Sequence, residues 1–164
     1  MDENLNMIYV VTSAVNNLDF IEIQNNSLKK HMKIPYKFIV FNDAKDWSDF
    51  SNFNDCSIKE KIENLCSKLD IQCINIPNKH HLNEMSPAKR CADAMNFIKN
   101  YMIENQNRYL LLDSDMFLIN DFNDPYKDFH AALVFQKRWK TMIYPWNGIF
   151  YFNMHYLKNQ DLLD

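Results

Sequence analysis

The sequence predicts an α/β fold with a mostly parallel sheet flanked by helices. Short apolar runs rich in β-branched residues alternate along the chain with longer segments in which apolar residues recur at helical spacing. The apolar runs stop at polar side chains or at proline, as buried strands usually do. No internal repeat or low-complexity linker interrupts residues 1–164, so we expect a single domain.

The first half of the chain contains alternating predicted strands and helices. Asn16 and Asn17 are candidate caps for the first helix, and Pro35 separates that helix from the next strand. The predicted elements are strands at Met7–Val11, Tyr36–Phe41 and Ile71–Ile76 and helices at Leu18–Met32 and Ser57–Leu69. Between them we expect a loop over Asp46–Asp55.

The second half begins with a long helix. Ser86 and Pro87 are typical of an N-cap followed by the first helical position, and the helical pattern continues to about Glu104. An apolar strand follows within Arg108–Asn120, and later apolar runs predict two more strands, at Ala131–Phe135 and Ile149–Phe152.

The chain has one glycine, Gly148, where average usage of about 7% would give roughly eleven. Glycine-rich phosphate loops need at least two glycines, so that backbone N–H groups can approach the phosphates closely. The dinucleotide fingerprint, the Walker loop, the nucleotidylyltransferase loop and the G-x-S-x-G elbow are therefore excluded. A nucleotide would have to be bound through side chains and a metal.

Charge and apolar content limit the partners. Eighteen basic and twenty-one acidic residues give a formal charge of -3, without a long basic run, so we expect no nucleic-acid partner. We also expect no transmembrane segment and a cytoplasmic location, because the N-terminus does not resemble a signal peptide and no apolar stretch is long enough to span a bilayer. The four cysteines contain no C-x-x-C pair, which favours reduced thiols.

Two aspartates, Asp113 and Asp115, follow the apolar strand that ends at Leu112. If the segment is extended, their spacing places both carboxylates on one face. Apolar residues on both sides of the pair should anchor it in the fold. Two like charges beside an apolar strand raise each other's pKa unless a cation neutralises them, and oxygen ligands suit Mg²⁺ or Mn²⁺. Such an ion commonly completes its shell with phosphates, which indicates a diphosphate substrate.

The segment LLLDSDMFLI, at Leu110–Ile119, resembles the metal-dependent glycosyltransferases of the GT-A fold, a Rossmann-like fold. In that family the D-x-D motif binds a divalent cation and the diphosphate of a nucleotide sugar. The resemblance implies that Asp115 ligates the metal directly and that Asp113 contacts the ribose or a metal-bound water. It implies Mn²⁺ or Mg²⁺ as cofactor and a UDP- or GDP-sugar as donor, with Ser114 also at the nucleotide.

Other site residues follow from the same resemblance. Thr12 and Ser13, after the first strand, would border the nucleotide base, and Asp43, after the second, would contact base or ribose. On the long helix either Lys89 or Arg90 would reach the nucleotide. Arg90 is favoured because a guanidinium can bind phosphate through two hydrogen bonds.

Near the donor sugar, the resemblance places Asn147 and Gly148 just before a final apolar strand. As the lone glycine, Gly148 is expected to have a positive φ or to allow a ligand close to the backbone. The ring of Trp146 could face the sugar or could simply pack.

The implied function is transfer of a sugar from the nucleotide sugar to a hydroxyl of a glycan, lipid or protein acceptor. His155 is the available third metal ligand, and the general base is left open among Asp121, Asp124 and Asp128. The family's C-terminal acceptor region has no match before Asp164, so we expect that part to be absent. Two alternatives remain open: a non-catalytic domain that binds sugar nucleotides, and a phosphatase with an aspartate nucleophile.

Overall fold

A computed structural model describes residues 7–45, 57–78, 86–138 and 141–157. In these residues the chain forms an α/β fold, in which a mixed sheet is flanked by helices. The expected loop at Asp46–Asp55 lies outside the described residues.

The elements follow the predicted order. They are β1 (Ile8–Ala14), α1 (Leu18–His31), β2 (Tyr36–Asn42), α2 (Ile58–Lys68), β3 (Gln72–Asn75), α3 (Pro87–Glu104), β4 (Arg108–Leu112), β5 (Ala131–Arg138), β6 (Met142–Asn153) and α4 (Met154–Leu157).

The described strands form one sheet in the order β3-β2-β1-β4-β6-β5. The first four strands of this order are parallel, whereas β6 is antiparallel to both β4 and β5. The predicted α/β class and the flanking helices are confirmed, and the sheet is parallel over four strands. β5 and β6 are antiparallel to each other because the connection between them is short and cannot hold the crossover that parallel neighbours need.

The helix starts confirm the predicted caps. In α1 the side-chain oxygen of Asn17 accepts hydrogen bonds from the N–H groups of Asp19 and Phe20, at 3.1 and 3.4 Å. In α3 the hydroxyl of Ser86 accepts from the N–H of Lys89, and proline occupies the first helical turn. These bonds satisfy N–H groups that have no acceptor within the helix, which fixes where each helix begins.

Four strands, β1, β2, β5 and β6, extend beyond their predicted bounds. β1 continues through Thr12 and Ser13 because β2 continues beside it. Thr12 pairs with Val40, and Ser13 pairs with Phe41. β6 begins at Met142 rather than at Ile149, since β5 pairs with it across Pro145, next to an irregularity between Leu133 and Phe135. Backbone pairing with the neighbouring strand therefore outweighs the low intrinsic preference of polar, proline and glycine residues for strand structure.

The core lies on both faces of the sheet. On one face β1 and β2 pack against α1 and α2, with Ile21, Leu28 and Ile62 fully enclosed. On the other face α3 packs through Ile98 and Met102. Each strand contributes to both clusters because successive side chains point to opposite faces. None of the helices in the described ranges is long and apolar enough to cross a bilayer.

A nearly buried ion pair lies at the amino end of β4. Arg108 Nη2 contacts Asp124 Oδ2 at 2.5 Å, and Arg108 Nε donates to the Tyr151 hydroxyl at 3.0 Å. Asp124 has a φ of 57°, in the left-handed region. The pair therefore links the start of β4 both to β6 and to the loop that follows the D-x-D segment.

We expect Asp124→Asn to lower the free energy of unfolding by about 3 kcal/mol, because it leaves the Arg108 charge buried without a counter-charge. Asparagine is the appropriate substitute, since it tolerates a positive φ. Urea unfolding measures the effect. In the matched control Asp121→Asn, the carboxylate is exposed, and its loss should leave the midpoint of urea unfolding nearly unchanged. Equal losses in the two variants would contradict a buried, energetically important pair.

Candidate functional site

The strand order creates a crevice at the carboxyl ends of β1 and β4. From β1 the chain moves outward to β2 and β3, and it then crosses back over the sheet to β4, on the other side of β1. In an open α/β sheet, the point where the order reverses leaves the ends of two neighbouring strands uncovered, and ligands bind there.

A cavity of about 360 Å³ occupies this position, and we call it the switch-point cavity. Its walls come from the end of β1, the residue after β2, the first turns of α3 and the end of β4. Six of the eight residues assigned to the nucleotide or donor from sequence line it, namely Thr12, Ser13, Asp43, Arg90, Asp113 and Ser114.

Thr12 brings an unpaired polar group to this cavity. Its side chain is 98% buried by accessible area, and its hydroxyl has no hydrogen-bond partner among the described residues. A buried polar group without a partner costs about 1–3 kcal/mol. A bound molecule could pair with this oxygen only after Thr12 changes rotamer, because the oxygen itself exposes less than 1 Å² of surface.

Asp43 lines the cavity as half of a buried ion pair. Its Oδ1 lies 2.9 Å from the ammonium of Lys45, which also donates to the carbonyl of Ile76 at 2.5 Å. The N–H of Asp43 donates to the carbonyl of Ala14 at 2.8 Å. Backbone and side chain are thus both fixed, and Lys45 balances the negative charge within the low-dielectric interior.

The N-terminus of α3 gives the cavity an electropositive side. Pro87, Arg90 and Cys91, all in its first two turns, are lining residues. The first N–H groups of a helix lack acceptors within the helix, and the aligned peptide dipoles place a partial positive charge there. Together with the Arg90 guanidinium, this end of α3 favours an anionic ligand.

The D-x-D motif forms a tight turn. The N–H of Met116 donates to the carbonyl of Asp113 at 3.0 Å, and the N–H of Ser114 donates to Asp113 Oδ1 at 2.8 Å. The expectation of an extended segment is therefore wrong. Pairing of β4 ends at Leu112, and aspartate readily forms side-chain bonds to the backbone in turns. Both Asp113 and Asp115 are solvent-exposed.

Of the apolar residues that flank the motif, only those that precede it in the sequence are fully buried. Leu110–Leu112 lie in the core, whereas Met116–Leu118 are half-buried and Ile119 is 81% exposed. The expectation that apolar sequence anchors the motif from both sides is thus correct for the residues before it and wrong for Ile119.

A buried glutamine holds this turn, and sequence reasoning missed it. Gln24 Nε2 donates to the carbonyls of Asp113 and Met116, at 2.8 and 3.0 Å. From the other side, the N–H of Asp113 donates to the carbonyl of Gly148 at 3.0 Å. Gln24 lies between Ile21 and Leu28 on the buried face of α1. A polar residue inside an apolar helical stripe is the signal that could have identified it.

Burial raises the pKa of the Asp113 carboxyl above its ordinary value, and the nearby charge of Asp115 adds to the rise. The hydrogen bond from the Ser114 N–H opposes it. Neighbouring protein atoms partly desolvate the Asp113 carboxylate, although much of the residue's surface is open to solvent. A cation between the two aspartates would favour the ionised form of both.

The donor set fits a hard divalent cation. In the part of the chain that the structure describes, no group of three or more His, Cys, Asp or Glu side chains could hold a metal ion. Asp113 and Asp115 offer two carboxylates on one turn. Mg²⁺ is commonly held by one or two carboxylates, with waters and substrate phosphates completing the shell. Two carboxylates on one turn therefore match the number of protein ligands that Mg²⁺ commonly takes.

His155, the third ligand considered from sequence, lies at the wrong end of the sheet. It belongs to α4, directly after β6, and the last residue of β6 pairs with Arg108 at the amino end of β4. The D-x-D turn follows the carboxyl end of β4, roughly 16 Å away for a strand of this length.

Two of the candidate general bases also lie at that amino edge. Asp124 pairs with Arg108. Asp121 Oδ1 lies 3.3 Å from both His31 Nδ1 and Lys33 Nζ, and these two basic residues come just before the start of β2. Neither borders the switch-point cavity. The third candidate, Asp128, is exposed in the same loop as Asp124.

Asn147 and Gly148 lie within β6 rather than before a strand. Gly148 does not line the switch-point cavity. The expectation of a positive φ at Gly148 is wrong, because no described glycine has one. A Cβ built there would lie 2.3 Å from Cζ2 of Trp146. The indole ring that packs over the backbone is thus sufficient to explain the glycine.

The comparisons with known proteins give no match. No protein-family model matches the chain, and no curated protein matches it by sequence.

We expect Gln24→Met to lower the free energy of unfolding by about 2 kcal/mol, because two carbonyls lose their donor while the helix keeps a side chain of similar length. Hydrogen exchange at the Met116 amide should also accelerate, since the turn loses its clamp. Gln106→Met is the matched control, because Gln106 is exposed and its replacement should cost less than about 0.5 kcal/mol. Unchanged exchange at Met116 would show that Gln24 does not hold the turn.

We expect Gly148→Ala to lower the free energy of unfolding by about 1–2 kcal/mol, because the new Cβ displaces the indole of Trp146. In a Trp146→Ala background the same substitution should cost less than about 0.5 kcal/mol, since nothing then opposes the methyl group. A double-mutant cycle by urea unfolding measures the coupling. An equal cost in both backgrounds would point to a requirement of the backbone or of a ligand instead.

Proposed function

We propose that the chain is a metal-dependent glycosyltransferase of the GT-A fold that uses a nucleotide diphosphate sugar. The supporting observation is the meeting of residues from four separate segments at the switch-point cavity. Thr12, Asp43, Arg90 and Asp113 are each far apart in sequence, yet all line it. Their positions are the ones at which the sequence resemblance expects nucleotide contacts.

The cavity offers different chemistry at its different walls. On the β1 and β2 side, the unpaired Thr12 hydroxyl and the Asp43 carboxylate can exchange hydrogen bonds with a base or ribose. On the α3 side, Arg90 and the helix N-terminus favour phosphate. A nucleoside diphosphate is a ligand class that carries both kinds of group.

Asp113, which lines this cavity, and Asp115, which lies on the same turn but is not a lining residue, would hold the divalent cation. When bound, such an ion acts as a Lewis acid that stabilises charge on a leaving diphosphate. Gln24 and the carbonyl of Gly148 keep the turn in one conformation, so the carboxylates are positioned before the ligand arrives. This preorganisation lowers the cost of ordering the site during binding.

Binding without catalysis is the second candidate function. It is favoured by the positions of Asp121, Asp124 and His155, which lie far from the cavity or are already ion-paired. A transferase that inverts configuration needs a base beside the acceptor hydroxyl. A domain that only binds sugar nucleotides needs none.

Calorimetry with UDP and GDP, with and without Mn²⁺, followed by a donor-hydrolysis assay, tests the proposal. We expect nucleotide binding to be strengthened by Mn²⁺ and Asp115→Ala to abolish both that effect and hydrolysis. Thr12→Val should lower nucleotide affinity about tenfold with or without metal, because the ligand loses a hydrogen bond. The same variant should unfold at equal or higher urea concentration than the parent, since it removes an unpaired buried hydroxyl.

Matched variants separate the site from the fold. Asp19→Ala removes an exposed aspartate from α1, and Thr141→Val removes an exposed threonine hydroxyl. Neither should change nucleotide binding. Hydrolysis by the Asp115→Ala protein, or nucleotide binding indifferent to Mn²⁺, would overturn the proposed transferase. Metal-dependent binding with no turnover would favour the binding domain.

A further inference from the structure

The outer part of the β5–β6 hairpin exposes an unusual amount of apolar surface. Ten large apolar residues in the described ranges are exposed, and half of them lie in this hairpin. They are Leu133, Val134, Phe135, Met142 and Ile143. Phe135, Met142 and Ile143 are each between 58% and 66% exposed.

This part of the hairpin extends beyond the rest of the sheet. β4 pairs with β6 only over Ile149–Asn153, and β5 is the edge strand. The pairs Phe135–Pro145 and Lys137–Ile143 therefore belong to a ribbon of two strands without a further described neighbour. An isolated two-stranded ribbon is only marginally stable in water, so a partner surface would stabilise it.

Apolar and basic side chains share one face of the ribbon. Residues directly opposite in an antiparallel pair point to the same side, as do residues two apart in one strand. Phe135, Lys137 and Ile143 consequently lie on one face, and all three are exposed.

The sequence around the hairpin contains basic residues and no acidic ones. Residues 129–160 contain no Asp or Glu and four basic residues, Lys137, Arg138, Lys140 and Lys158, although the whole chain has a net charge of -3. The negative charge is therefore concentrated in the rest of the chain. Such separation favours an anionic partner for this region.

We propose that this hairpin docks the protein on an anionic lipid bilayer. Peripheral membrane binding combines insertion of apolar side chains at the interface with attraction of Lys and Arg to anionic headgroups, and the ribbon offers both on one face. Four of the five exposed apolar side chains, all except Phe135, have no ring to stack on nucleobases, which disfavours a nucleic-acid partner. The docking surface is separate from the switch-point cavity and does not depend on the proposed transferase activity.

Vesicle co-sedimentation with the full chain tests this inference. We expect binding to vesicles that contain phosphatidylglycerol, little binding to vesicles of phosphatidylcholine alone, and weaker binding at high salt. Ile143→Asp and Lys137→Glu should each lower the partition coefficient about tenfold or more, because each removes one of the two attractions and adds a repelled charge.

Matched variants provide the controls. Ile119→Asp changes another strongly exposed isoleucine, and Lys29→Glu changes an exposed lysine of α1. Both should bind vesicles like the parent, and circular dichroism checks that all four variants are folded.

Four outcomes would overturn the inference. They are no binding to either vesicle, equal binding to both, equal effects of Ile143→Asp and Ile119→Asp, or a stable homodimer that Ile143→Asp dissociates. The last outcome would show that a second copy of the chain covers the hairpin.

Discussion

The candidate site depends on one set of hydrogen bonds, those that fix the turn after β4. Gln24 donates from α1 to the carbonyls of Asp113 and Met116, and Gly148 in β6 accepts from the Asp113 N–H. A helix and an antiparallel strand thus hold the turn from opposite sides. Without these bonds, two mutually repelling carboxylates on an exposed segment would have no reason to stay together.

Sheet topology determines what meets that turn. Because β1 is the strand where the order reverses, its carboxyl end and that of β4 remain uncovered, and the N-terminus of α3 lies beside them. Residues distant in sequence are brought together by this arrangement alone. The Asp43–Lys45 pair adds a rigid wall, because both side chains are buried and bonded to neighbouring backbone or to each other.

The sequence was sufficient for features that depend on local chemistry. Helix starts at Asn17 and Ser86 were predictable because a capping side chain bonds to N–H groups two or three residues away. Strand lengths that depend on the neighbouring strand could not be predicted in this way. β1 runs past Thr12, and β6 runs through Pro145 and Gly148, because the neighbouring strands continue there. That information is long-range, so no local pattern contains it.

The same distinction explains the site predictions. Residues at the ends of parallel strands could be assigned to one cavity, since topology fixes where such ends meet. Asp113 and Asp115 were expected in an extended segment because they directly follow an apolar strand, yet the ladder ends at Leu112 and a turn satisfies the backbone. Gly148 illustrates the remaining difficulty. A lone glycine suggested an unusual φ or a ligand, whereas the structure shows a side chain of the same strand, two residues away, packed over it, and a rotamer cannot be read from sequence.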